Sequence, residues 1–162
     1  MQKFSQKWSI VAFLEPIKEG TAFFYKNWPL HITLSSVFAT TRNGEELIAV
    51  LENLLKNQRS LPLTTTGEAR WGNESQIHVM LLEKTTELLN LHNTLHHALG
   101  LVGAEFNEPQ YEGDGYIPHS TVQRNNKLVI GEQVVIDNLA LIDMFPNADG
   151  HQRKVAKIIS FS

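Results

Sequence analysis

The sequence predicts an α+β fold with largely antiparallel strands, and three observations carry that prediction. Short runs rich in β-branched and aromatic residues are bounded by Gly, Pro and Asn turns. Two longer segments instead carry an apolar stripe at helical spacing. Many connections between the strand-like runs are too short for the crossovers that parallel pairing needs. The predicted order is β-β-α-β-β-α-β-β-β. Its coarse internal symmetry, two helices and two similar strand segments, points to two similar lobes within one domain spanning 1–162.

Trp8 to Leu14 reads as the first strand, closed by Pro16 and the turn Lys18-Glu19-Gly20. Thr21 to Pro29 reads as an aromatic loop with Phe23, Phe24, Tyr25 and Trp28, and Leu30 to Ser36 as the second strand. Asn43 opens a helix as N-cap, with Glu46 three residues on. That helix runs to about Asn57 and buries Leu47, Ile48, Leu51, Leu54 and Leu55. Leu61 to Trp71 and Gln76 to Glu83 form a hairpin around Gly72-Asn73-Glu74-Ser75. Thr85 or Thr86 caps a second helix that ends near Gly100 or Gly103, with Leu88, Leu91, Leu95 and Leu99 in the core. A turn-rich loop, Asn107 to Gly115, leads into a strand from Tyr116 to Gln123. Strands Val134 to Ile142 and Val155 to Phe161 close the domain around the loop Pro146 to Gly150.

Composition narrows the function classes. Hydrophobic residues are 42 % and charged residues 19 % of the chain, the profile of an ordinary globular protein. The absence of cysteine excludes disulfides, thiolate nucleophiles and thiolate metal sites. The net charge of −3 argues against a grip on long nucleic acid, which favours a basic excess. It leaves room for a small anion or an RNA end. Met1 to Lys7 lacks the apolar run of a leader, and no run is long enough to cross a bilayer, so the expected location is cytoplasmic, with no membrane partner.

The most informative feature is a pair of segments, Leu30-His31-Ile32-Thr33-Leu34 and Pro118-His119-Ser120-Thr121-Val122, whose histidines are 88 positions apart. Residues i and i+2 of a strand share a face, so each segment presents an imidazole and a hydroxyl together. In the first, Leu30, Ile32 and Leu34 turn the other way, into the core. Brought together, the segments would supply an acid, a base and two donors for phosphate oxygens. Opening a 2′,3′-cyclic phosphate by water needs that set. Imidazole serves as either acid or base near neutrality, and oriented hydroxyls stabilise charge on non-bridging oxygens without a metal.

The two segments resemble the paired signature of the two-histidine (2H) phosphoesterase superfamily, which includes the 2′-5′ RNA ligase-like (LigT-like) proteins and the RNA cyclic phosphodiesterases. The likeness covers most of the chain as an order of elements, and the motifs alone as residues. It implies a bilobal, pseudo-twofold fold: two largely antiparallel sheets flanked by helices around a central cleft. By position it makes His31 and His119 the catalytic acid–base pair and Thr33 and Thr121 the phosphate donors. Which histidine is acid and which base stays open. The implied substrate is a nucleotide or RNA end bearing a 2′,3′-cyclic phosphate or a 2′,5′ linkage, with a 2′-phosphate product and possible reverse 2′-5′ ligation. No metal, no cofactor and no obligate protein partner is expected. Alternatives are hydrolysis of another small cyclic nucleotide phosphodiester, or a non-catalytic nucleotide- or RNA-binding module.

Some family members carry an Arg five residues after the second His, and Arg124 stands there. Strict alternation turns it away from His119 unless the strand twists or ends. Ser120 replaces a bulky apolar residue common at its place, which would loosen packing behind the second motif. Tyr25, Trp28, Trp71 and Tyr116 are candidate stacking surfaces for a base. His92 and His96 are i, i+4, but Asn93 stands where the zincin motif needs Glu, so they read with His97 as a solvated helix face. His78 lines the cleft or sits on a sheet face, and His151 lies in a loop. Gly113-Asp114-Gly115 lacks the Lys and the strand–helix context of a phosphate loop and reads as a turn.

Overall fold

The structure, a computed structural model, describes residues 6–124 and 126–162; residues 1–5, part of the stretch read for a leader, lie outside them. In order they form β1 (Trp8–Phe13), β2 (Ala22–Phe24), β3 (His31–Ala39), α1 (Gly44–Leu55), β4 (Leu61–Trp71), β5 (Ile77–Leu82) and α2 (Thr86–Leu101). β6 (Glu105–Phe106), β7 (His119–Thr121), β8 (Gln133–Ile136), β9 (Asn138–Asp143) and β10 (Gln152–Ser160) follow. All pairings are antiparallel. Six strands make one sheet, in the order β2-β10-β9-β1-β3-β6, and four make the other, in the order β7-β5-β4-β8. This is the expected α+β fold of two lobes, and each sheet carries one of the two motif strands.

Both helix starts form as the sequence predicts. The Asn43 side chain accepts the Glu46 N–H at 2.9 Å, and Thr85 Oγ1 accepts the Leu88 N–H at 3.1 Å. α2 ends at Leu101, and of the two glycines it is Gly103 that closes it. Gly103 takes the left-handed φ of 75°, and Ala104 N–H and Gly103 N–H donate back to Leu99 and Gly100 carbonyls. That pairing is a Schellman ending, which needs a residue at ease with positive φ.

The large core lies between the sheets and the helices. Ile32 and Leu34 of β3, Leu63 of β4 and Met80 and Leu82 of β5 pack with Leu51, Leu88, Leu95 and Leu99 of the helices. A smaller cluster, Val11, Phe13, Ala140, Ile142 and Val155, covers the other face of the six-stranded sheet. Ile17, together with Phe23 and Trp28 from the aromatic loop, packs against it. β1 is therefore buried at every position, whereas β3 alternates over its first four residues. This alternation aims His31 and Thr33 away from the core that holds Ile32 and Leu34.

Three of the differences from expectation bear on how the sheets are joined. The aromatic loop contains β2, which pairs Ala22, Phe23 and Phe24 with β10. The strand expected from Tyr116 to Gln123 shrinks to His119–Thr121, because Gly113 to Tyr116 is consumed in turns and core contacts. The run Val134 to Ile142 is two strands in different sheets. It breaks at Asp137, where the chain crosses from the four-stranded to the six-stranded sheet. Among the described residues no helix is long and apolar enough to cross a membrane.

Candidate active site

The sheets meet where β3 runs beside β7, and both motif histidines stand at the first residue of their strand. His31 Nδ1 lies 2.8 Å from the Pro29 carbonyl oxygen, and His119 Nδ1 lies 2.8 Å from the Ile117 carbonyl oxygen. A carbonyl only accepts, so each Nδ1 carries its proton and donates it. Each Nε2 is left as the nitrogen that can take or give a proton. The orienting bond comes from the residue two before the histidine in both motifs, so the local sequence builds the same device twice.

Burial sets the electrostatics. Burial, opposed by the Pro29 hydrogen bond and reinforced by the charge of His119, lowers the His31 pKa to about 4. Desolvation also lowers the His119 pKa, against the Ile117 hydrogen bond. Two imidazoles whose charges repel favour a state in which only one is protonated. Negative charge brought beside them would favour an imidazolium.

Thr33 lies on the same face of β3 as His31, and Thr121 on the same face of β7 as His119. Among the described residues neither hydroxyl is spent on a protein partner, so both are available to a ligand. The intervening residues face the core: Ile32 is fully buried, and Ser120 is buried with its hydroxyl unpartnered. His78 pairs with Glu68 at 2.8 Å on the face of the four-stranded sheet opposite His119, since Leu81, not Met80, is in register with His119.

Two of the four candidate stacking residues lie against the histidines. The Trp28 ring sits 4.6 Å from His31, centroid to centroid, and Trp71 sits 4.6 Å from His119, edge to face at 70°. Phe13 adds an edge contact to His31 at 6.4 Å. The tryptophans thus supply much of the apolar surface that desolvates the imidazoles. Tyr25 lies farther round the sheet, against His151 at 5.6 Å, with Lys26 and Arg153 over its ring.

Tyr116 is not a stacking surface open to a base. Its ring is 5 % exposed and stacks at 3.9 Å and 3° on His92. Its hydroxyl donates to the Thr33 carbonyl at 2.7 Å. His92 overturns the reading of a solvated helix face, since it is fully buried. Its Nδ1–H donates to the Leu34 carbonyl at 2.8 Å, and its Nε2 accepts the Gly113 N–H at 2.9 Å. An imidazole that donates at one nitrogen and accepts at the other is neutral. Beside it, His96 Nδ1 lies 3.1 Å from the buried Glu112 carboxylate, which also accepts from Ser36. The missed signal was positional: Leu88, His92, Leu95 and Leu99 follow the i, i+4, i+7, i+11 stripe of a buried helix face.

Arg124 escapes strand alternation because β7 ends at Thr121. Gln123 and Asn126 exchange backbone hydrogen bonds across a tight turn, which holds Arg124 at φ 56°. Its guanidinium donates to Asn27 Oδ1 at 2.5 Å, and Asn126 donates to Glu15 at 2.9 Å. The loop after the second motif therefore reaches the residues just before the first, and a cation stands at that junction.

The arrangement is one imidazole and one free hydroxyl on each of two adjoining strands, with a guanidinium at the edge. Residues 6–139 match the family model described as the 2′-5′ RNA ligase superfamily. Among solved structures, one described as a phosphoesterase aligns with a TM-score of 0.63 at 17 % identity, covering 97 % of this chain and 99 % of that one. A protein of Thermus thermophilus aligns with a TM-score of 0.60 at 18 % identity, covering 96 % and 97 %. E. coli LigT complexed with 3′-AMP aligns with a TM-score of 0.61 at 16 % identity, covering 97 % and 98 %. At such identities the likeness is one of fold. The search of curated proteins finds no match.

Proposed function

This chain belongs to the 2′-5′ RNA ligase superfamily, and from that premise we propose that it is a metal-independent phosphodiesterase. It opens 2′,3′-cyclic phosphates, or cleaves 2′,5′ linkages, at nucleotides or RNA ends. The observation that carries this reading is the duplicated histidine device. Two imidazoles, each with Nδ1–H tied to the carbonyl two residues upstream, leave Nε2 atoms and neighbouring threonine hydroxyls that have no hydrogen-bond partner among the described residues. The 3′-AMP held by E. coli LigT supports a nucleotide ligand.

In this mechanism one neutral Nε2 takes the proton of the attacking water, and the other, protonated, delivers a proton to the departing ribose oxygen. Thr33 and Thr121 donate to the non-bridging oxygens as charge builds on them. Arg124 draws the anion to the junction of the lobes. The substrate phosphate raises the pKa of the acid histidine, so the site becomes competent as it fills. Ligation uses the same groups: one imidazole takes the proton of an attacking 5′-hydroxyl, the P–O3′ bond of the cyclic phosphate breaks, and the other imidazole protonates the departing 3′ oxygen, leaving a 2′,5′ linkage.

Incubation with 2′,3′-cyclic nucleotides and with 2′,5′-oligoadenylate in excess EDTA tests the proposal. Chelation-resistant turnover of either substrate supports it. Binding without turnover would leave a nucleotide-binding module, and turnover abolished by EDTA would refute the metal-independent mechanism.

A further inference from the structure

Tyr116, three residues before His119, stacks on His92 of α2, and both rings end on the backbone of the first motif. Tyr116 Oη donates to the Thr33 carbonyl at 2.7 Å, and His92 Nδ1–H donates to the Leu34 carbonyl at 2.8 Å. The rings lie parallel at 3.9 Å. His92 Nε2 also holds the Gly113 N–H, three residues before Tyr116. The segment from Gly113 to Tyr116 is thereby fastened to consecutive carbonyls of β3. One residue further along, the Ile117 carbonyl orients His119.

The two motifs use the residue three before the histidine differently. Trp28 lies against His31, its own motif histidine, whereas Tyr116 turns from His119 into the core and grips the opposite motif. A phenol buried in this way, next to the Glu112 carboxylate, is held well above its ordinary pKa. It stays a donor throughout the working pH range. Gly115 is needed for the same path, since a Cβ there would meet the Gln110 carbonyl oxygen at 1.9 Å.

We infer that Tyr116, stacked on His92, is a positioning residue that sets the separation and aim of the His31 and His119 Nε2 atoms. This inference rests on the proposed two-histidine chemistry. A hydrolase that passes a proton on each side of one phosphorus atom depends on that separation, and misplacement by about 1 Å costs roughly 10²-fold in rate.

Tyr116→Phe keeps the stacked ring and deletes only the hydroxyl. The prediction is a kcat for 2′,3′-cyclic nucleotide hydrolysis lowered at least about tenfold, with KM within about twofold. The second readout needs no turnover: inorganic phosphate is titrated while the Cε1–H signals of both histidines are followed by NMR. In the wild type the two signals move with one common dissociation constant. In Tyr116→Phe they separate into two constants, or the common constant weakens at least about fivefold, with the circular dichroism melt nearly unchanged. An unchanged kcat with an unchanged joint response overturns the inference. A lowered melt without a kcat–KM split makes Tyr116 structural only and also overturns it.

If Tyr116→Phe loses its fold, His92→Asn repeats the test, because the Asn amide keeps a donor for Leu34 and removes the ring beneath Tyr116. Loss of folding in both variants marks the pair as a folding element and overturns the assignment. If phosphate moves neither imidazole in the wild type, the proposed function itself fails, and this inference with it.

Discussion

His31 and His119 are held alike: each imidazole donates its Nδ1 proton, over 2.8 Å, to the carbonyl of the residue two places before it, Pro29 and Ile117. The chain therefore presents two imidazoles in the same tautomer, with Nε2 atoms that have no hydrogen-bond partner among the described residues. The surroundings differ, since His31 packs against Trp28 and Phe13, and His119 against Trp71.

Thr33→Val and Thr121→Val keep shape and β-propensity and remove only a hydroxyl. Each is expected to lower kcat by roughly 10²-fold, the usual effect of losing one donor to a developing oxyanion, with little change in KM. Steady-state kinetics at saturating 2′,3′-cyclic nucleotide makes the check. A change confined to KM would make the hydroxyls ground-state contacts.

The lowered histidine pKa values predict an acid-sensitive fold. For His31 the folded pKa lies below the unfolded one, so the unfolded chain binds more protons between about pH 6.5 and about pH 4. Stability is then present above pH 6.5 and falls as pH drops through that window. The His31 contribution is on the order of 3 kcal/mol. Urea melts of the wild type and His31→Asn between pH 7.5 and 4 test this, and the variant should lose the smaller amount.

Sulfate, which stays dianionic throughout that range, should bind more tightly at pH 5 than at pH 7.5, with net proton uptake. The physical reason is that an anion beside a buried imidazole favours its charged form. Titration calorimetry in two buffers of different ionisation enthalpy reports the proton count. Proton release, or none, would contradict the electrostatics assigned to the site.

Arg124→Ala should raise KM for a nucleotide phosphate by about tenfold at low salt, an effect that fades as salt screens the charge. Its partner Asn27 is exposed and neutral, so the melting temperature should move little. Kinetics at about 20 mM and about 500 mM salt, roughly a fivefold change in Debye length, separate these contributions.

Much of the fold was legible because its signals are local. Helix starts followed from Asn43 and Thr85, the shared face of His31 and Thr33 from strand alternation, and the two-lobe arrangement from the paired motifs. What escaped depended on contacts distant in sequence. Val134 to Ile142 reads as one apolar run, and no periodicity marks the change of sheet at Asp137. Tyr116 reads as a candidate stacking surface only because it lies near the second motif in sequence; its burial comes from His92, on another element. His92 was misread because residue type outweighed position: an imidazole counts as polar, yet one that donates to Leu34 and accepts from Gly113 is buried at no charge cost. Arg124 reaches its place because the motif strand stops after three residues, a length that His119-Ser120-Thr121 alone does not announce.

The central claim, that the two Nε2 atoms share one acid–base reaction, is tested most directly by His31→Ala and His119→Ala assayed with a 2′,3′-cyclic nucleotide in EDTA. Circular dichroism must first show both variants folded. The account predicts that each loses roughly 10²- to 10⁴-fold in kcat, and that the double variant loses little more than the worse single, since the pair acts as a unit. Retention of more than about a tenth of wild-type turnover by either single variant would contradict it.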